Sequence, residues 1–375
     1  MKRSSCLLLL ALASCTSSKL DSNTAVTISG LGRAQGGAPL AGAPVVFFKQ
    51  LDVGEVLTGG LLLTASLGTV CLFRPSDSSC AGVRTTTTDA QGAFSLALKG
   101  SDTQGSLGRA STIDLSVSDS AQAGESTGAA TTEEFQVQVP DLKLNDLRIW
   151  HPTTALTVAG ASVSLTFDSF PYGTASVRVA FQTDKGMPVW SQSLISGATL
   201  DARLLEDTQG TVMVTAQTKE PLASGGDAVF YFRSGQRAYP QSPNVPPSRG
   251  VGCFVHGPSG PSALSPCVLT DGDLGTPLTL LTEPACSSGS ACDAQANNWA
   301  YVALPAAAPI SLIVARGASS PYLVETSSDA AAWTGAGISG GGAQSFPVSV
   351  SARYVRVRAT SPQGRVTGLT EISVW

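Results

Sequence analysis

Cysteine and histidine carry the most versatile side-chain chemistry, and this chain uses them unevenly, with eight cysteines and two histidines in 375 residues. Cys6 and Cys15 lie in the N-terminal segment; the other six stand at 71, 80, 253, 267, 286 and 292. An even set in an exported chain reads as disulfides. The long gap after Cys80 leaves Cys71 and Cys80 only each other. Cys253, Cys267, Cys286 and Cys292 allow three pairings, of which proximity favours Cys253–Cys267 with Cys286–Cys292. No C-x-x-C occurs and no histidine stands at zinc-finger spacing, which argues against a thiolate metal site. His151 precedes Pro152, and His256 falls between Cys253 and Cys267. Neither accompanies a G-x-S-x-G, H-E-x-x-H, P-loop or Rossmann fingerprint. The carboxylate pairs of glycoside hydrolysis leave no linear trace. The expectation is a protein without catalytic activity.

The composition agrees. Only 13% of residues are charged, about half the usual share. A net charge of −4 with no basic block gives no electrostatic footprint for nucleic acid. With 42% hydrophobic residues there is ample material for a core. The 39 glycines and 22 prolines favour many turns and short strands. The length predicts two to four domains.

Lys2 and Arg3 precede a short apolar run, Leu7-Leu8-Leu9-Leu10. It is too short to span a bilayer and reads as a secretory signal. The run ends in Leu12-Ala13-Ser14-Cys15, which resembles a bacterial lipobox. The resemblance implies a signal peptide at 1–14, diacylglycerol on the Cys15 thiol and acylation of the new amino group. Several buried acyl chains give stable anchoring. Thr16 rather than Asp at the next position implies the outer membrane. Residues 15–23 are then the lipidated cysteine and a polar tether. The best later apolar stretch, 56–73, is broken by Gly59, Gly60, Thr64 and Gly68, so the chain is expected to be anchored and not spanning.

Residues 24–141 show the two-residue period of half-buried strands: Ile113, Leu115 and Val117 share a face, as do Phe135, Val137 and Val139. Val45-Val46-Phe47-Phe48 suits a strand covered on both sides. The succession of Val26, Ile28 and Gly30, then Pro39-Leu40-Ala41-Gly42-Ala43 and Val45, then Thr88-Asp89-Ala90-Gln91-Gly92-Ala93-Phe94 is similar to carboxypeptidase regulatory-like (transthyretin-like) β-sandwiches. In that family the Thr-Asp-x-x-Gly-x-Phe turn enters a core strand. An insertion at about 50–83, carrying Cys71 and Cys80, departs from the pattern. Residues 142–237 continue with Val163, Leu165 and Phe167, then Val177, Val179 and Phe181, then Val212 and Val214, then Val229-Phe230-Tyr231-Phe232. This spacing suggests an immunoglobulin-like sandwich that loosely resembles fibronectin type III, with Trp150 and Trp190 in its core. Residues 238–250 hold four prolines and form a semi-rigid linker.

Residues 251–375 carry five ordered features. They are Asp271-Gly272-Asp273 with Thr276, the strand from Trp299 to Leu304, Ser327-Ser328-Asp329 with Trp333, Ala352-Arg353-Tyr354-Val355-Arg356, and Gly368-Leu369-Thr370-Glu371-Ile372. Together they resemble the discoidin, or coagulation factor 5/8 type C, domain of the galactose-binding-like group. The resemblance implies an eight-stranded jelly roll with binding loops at one end. It also implies a structural calcium held by Asp271, Asp273, Thr276 and Glu371, a chemistry that suits an ion wanting six to eight oxygens. By the same resemblance His256, Arg316 and Arg365 are the loop candidates for sugar hydroxyls. Trp299 and Trp333 fall at core positions, and Arg353 and Arg356 read as strand-face residues. The family's acidic-Leu-Gly after the central Trp is Ala303-Leu304-Pro305 here, and its terminal disulfide is absent.

The whole is expected to be all-β: three tandem β-sandwiches, transthyretin-like, Ig/FnIII-like and a C-terminal discoidin-type jelly roll. The expected function is a lipid-anchored surface protein that binds carbohydrate through the last domain. The alternative is a structural or assembly lipoprotein that binds another envelope protein.

Overall fold

The computed structural model describes residues 20–50, 84–105, 110–119, 128–222, 227–257, 260–278, 299–360, 366 and 368–375. Cys15, Cys71, Cys80, Cys286, Cys292 and Arg365 lie outside the described residues. Among those described there are 23 strands and two short 3₁₀ helices, Gly100–Thr103 and Ala202–Leu204. The fold is all-β, and no helix among the described residues is long and apolar enough to cross a membrane.

The chain divides into two compact units. One comprises Met1–Thr153, Asp168–Arg178 and Met213–Arg237; the other comprises Thr154–Phe167, Val179–Val212 and Ala238–Trp375. Strand pairing joins segments far apart in the chain. Asp141–Lys143 lies parallel to Ala25–Arg33, and Asp227–Arg233 lies antiparallel to Ala130–Gln136. Strands from both sides of residue 141 therefore complete each other's ladders.

In the first unit one sheet runs Ala93–Lys99, Ala25–Arg33, Asp141–Lys143, with Leu147–Arg148 further along Ala25–Arg33. A second sheet places Gly210–Pro221, Asp227–Arg233, Ala130–Gln136, Thr112–Ser118, Pro44–Lys49 and Arg84–Thr87 side by side. The alternation in Thr112–Ser118 buries Ile113, Leu115 and Val117 completely, as the period requires. Trp150 is buried and meets Phe170 edge-on at 5.2 Å, a core position as expected.

The Thr88–Phe94 motif forms the turn its residues dictate. Asp89 Oδ1 accepts from the Gln91 and Ala93 amides at 2.9 and 2.8 Å. Thr88 Oγ1 accepts from the Ala43 amide at 2.8 Å and donates to the Leu40 carbonyl. Gly92 has φ +79°, and a Cβ there would stand 2.5 Å from the Gly32 carbonyl oxygen, so only glycine fits.

In the second unit Thr199–Asp201, Ser162–Phe167 and Thr154–Ala159 form a three-stranded sheet. A seven-stranded sheet runs Gly260–Leu264, Cys253–Gly257, Trp299–Arg316, Gln344–Ala359, Tyr322–Ser327, Thr334–Ser339. Its seventh strand, Glu371–Val374, pairs with the far end of Trp299–Arg316. That long strand can take different partners along its length because its register with Gln344–Ala359 shifts between Ala303 and Ala308, where Pro305 offers no ladder N–H. Ala300, Val302, Leu304, Ile313, Val324, Val355 and Val357 form its core. The Cys253–Cys267 disulfide is formed, with Cα atoms 5.5 Å apart.

Candidate functional site: an aromatic and arginine face

Strand alternation decides which side chains leave this core. Ala300 and Val302 point into it, so Trp299 and Tyr301 point to the opposite face. Val355 and Val357 likewise turn Tyr354, Arg356 and Arg358 outward; Tyr322 and Val324 do the same for Leu323 and Glu325, and Cys253 for Phe254. The register then sets Phe254, Tyr301, Arg356 and Glu325 in one row across four strands. On the neighbouring rung Trp299, Arg358 and Leu323 align.

The rings touch. Phe254 and Tyr301 stack at 4.9 Å, and Trp299 and Tyr301 stack at 5.3 Å. Tyr354 meets Tyr301 edge-on at 5.7 Å, and Trp333 tilts against it at 5.9 Å. The Arg356 guanidinium lies over the Trp333 ring at 4.0 Å, and that of Arg353 over Tyr354 at 5.3 Å. Glu325 Oε2 accepts from Nε of both Arg356 and Arg358, at 2.8 and 2.9 Å. One carboxylate thus serves two guanidiniums, and the row ends with cationic charge to spare. Burial holds Arg356 below the ordinary guanidinium value, while Glu325 draws it back up. Phe254, Trp333 and Tyr354 are half-buried and Arg353 is exposed. Trp299, expected in the core, is buried, and Trp333 is half-buried; both lie on this second face.

Of the three loop candidates, Arg365 lies outside the described residues. His256 stands within the strand Cys253–Gly257, opposite Pro261. Arg316 is the last residue of Trp299–Arg316 and is 1% exposed. Its Nε donates to the Val189 carbonyl at 3.1 Å, Nη2 to the Leu204 carbonyl at 2.8 Å and Nη1 to Ser373 Oγ at 3.0 Å; Nη1 also pairs with Glu206, itself 2% exposed. With its donors committed to interior partners it is a buried ion pair and not a ligand arm, which corrects the expectation.

The four calcium candidates do not make a cage. Asp271 Oδ1 accepts from the Asp273 amide, and Asp273 accepts from the Gly275 amide and the Thr276 hydroxyl. These bonds hold the Asp273 carboxyl below the usual range, the Gly275 amide most strongly. Asp271, Asp273 and Thr276 are exposed, whereas Glu371 is fully buried with Oε2 accepting from the Gly272 amide at 3.1 Å. Burial pushes Glu371 up to about 8, with Glu206 adding to it and Arg249 opposing. Among the described residues no three His, Cys, Asp or Glu converge on a metal position. The space beside Glu371 and Gly272 holds the Arg249 guanidinium, a cation that repels another.

Sequence reasoning missed Phe254, Tyr301, Tyr354, Glu325 and Arg358 as a group. The available signal was a ring or charge at every second residue in strands whose other positions are aliphatic. Glu206 and Arg249 had no local signal at all.

No family model matches the chain, and no curated protein does. Among solved structures it is similar to CpGH89 from Clostridium perfringens in complex with its substrate GlcNAc-alpha-1,4-galactose, at 19% identity and a TM-score of 0.25, over 35% of this chain and 14% of that one. It is also similar to chitosan-binding module 2, in complex with chitotriose, of a chitosanase/glucanase from Paenibacillus sp. IK-5 (18% identity, TM-score 0.25, 34% of this chain, 98% of that one). A third is the C-terminal domain of a chitobiase from Bacteroides fragilis (18%, TM-score 0.22, 32% and 87%). Each likeness covers about a third of this chain, and at such scores none bears on its ligand.

Proposed function

We propose that this protein is a non-catalytic carbohydrate-binding protein of the cell envelope, held by lipid at Cys15. Its sugar lies on the ring and arginine face of the seven-stranded sheet. The observation that carries this reading is the accessible part of that face, where half-buried Trp333 and Tyr354 lie beneath the Arg356 and Arg353 guanidiniums. Ring faces take the C–H surface of a pyranose, and a guanidinium beside a carboxylate offers donors and acceptors to its hydroxyls. The cationic surplus at Glu325 and the exposed Arg353 favour sugars bearing a carboxylate over neutral ones. The lipobox-like Leu12-Ala13-Ser14-Cys15 supports the anchor, and delivery to the outer membrane follows from Thr16.

The test uses the full mature chain on an array holding neutral and uronic-acid-containing oligosaccharides, followed by calorimetry on what is retained. Trp333→Ala and Arg353→Gln are expected to weaken binding roughly tenfold or more, as anchor residues do. An array with no retained sugar, or Trp333→Ala binding as tightly as the parent, refutes the reading.

A further inference from the structure

We infer that Arg249 is the resident cation of the turn at 271–276, so that this centre is built without calcium. The backbone aims the side chain there. The Arg249 amide donates to the Pro246 carbonyl at 2.9 Å, and the next amide, Gly250, donates to the Thr270 carbonyl at 2.8 Å. This sets Arg249 directly beside the turn. Its Nη1 packs onto Gly272 so closely that a Cβ at 272 would stand 1.4 Å away, and the same nitrogen is 3.9 Å from Glu371 Oε1. Its Nη2 reaches Glu206 Oε2 at 2.9 Å and Asp207 Oδ1 at 2.6 Å. One planar fork therefore ties three parts of the unit together: the turn, the final strand Glu371–Val374, and the Glu206-Asp207 corner.

The donor set does not suit a divalent ion. Calcium needs six to eight oxygens converging at about 2.3–2.6 Å. Asp271 and Asp273 direct theirs at amides and the hydroxyl of their own turn. The guanidinium, bonded to Glu206 and Asp207, stands against Gly272 of the turn and 3.9 Å from Glu371 of the last strand, the place a metal ion would otherwise take.

The experiment is thermal unfolding of the full mature chain in excess EDTA and in millimolar calcium chloride, with metal analysis of the dialysed protein. A calcium site filled far above its dissociation constant raises the melting temperature by several degrees. The expected result is one melting temperature in both buffers, no stoichiometric calcium, and a melting temperature several degrees lower for Arg249→Ala. Calcium-dependent melting of the parent, calcium retained at one equivalent, or Arg249→Ala melting with the parent overturns the proposal. The parent's response to chelator decides the question even if the variant fails to fold.

Discussion

A guanidinium and a carboxylate share a dry interior at Arg316 and Glu206, each tolerable there because the other is present. Removing one partner leaves a bare charge, a loss that typically costs about 3–5 kcal/mol. Arg316→Met is expected to lower unfolding free energy by that amount, measured from the urea midpoint, and the double variant Arg316→Met/Glu206→Met to recover part of it. Glu133 is the opposite case: a fully buried carboxyl with no hydrogen-bond partner for either oxygen among the described residues. Burial, with Glu220 adding to it, raises its pKa from 4.5 to about 8. Below pH 4.5 the native and unfolded chains both keep the proton. Between 4.5 and 8 only the native chain keeps it, so stability falls as pH rises and levels off above 8. Asp114, raised by its own burial to about 6, acts with the same sign. Unfolding free energies from urea curves at pH 5 and pH 8 should therefore differ, by an amount on the order of a few kcal/mol, and Glu133→Gln should remove part of the difference, since Glu371 acts with the same sign. Nothing in the sequence marks these residues. Arg316 finds its partner 110 positions away, and Glu133 looks like any charged residue in an alternating strand.

Local elements were far more legible, because their hydrogen bonds close within a few residues. The Thr88–Phe94 turn folds as its motif implies, and the strain at Gly92 gives it a test. Gly92→Ala must place a Cβ against the Gly32 carbonyl at positive φ, and should cost about 1–3 kcal/mol. The Cys253–Cys267 pairing was also legible from proximity. A closed loop of this size contributes about 3 kcal/mol, so Cys253→Ser/Cys267→Ser should lower the urea midpoint accordingly. The strand Trp299–Arg316 was half legible. Its alternation was visible, but both of its faces are apolar near Trp299. Which face was the core emerged only when Val355, Val357 and Val324 packed against one side of it.

At the scale of the whole molecule, the proposed anchor can be tested apart from the fold. With lipid on the Cys15 thiol, Cys15→Ala should move the protein from the detergent phase to the aqueous phase on Triton X-114 partitioning, with its thermal unfolding unchanged. The all-β class was evident from glycine, proline and strand periodicity, since each short strand needs its turns. The division into units was not, because Thr154–Phe167 and Val179–Val212 group with residues far along the chain. Val189, Leu204 and Glu206 supply the carbonyls and the carboxylate that receive Arg316. The last 125 residues, which by sequence look like a portable cassette, therefore share a buried ion pair with segments upstream of them. Excised at the proline-rich segment, they would leave the Arg316 guanidinium without the carboxylate and carbonyls that now receive it.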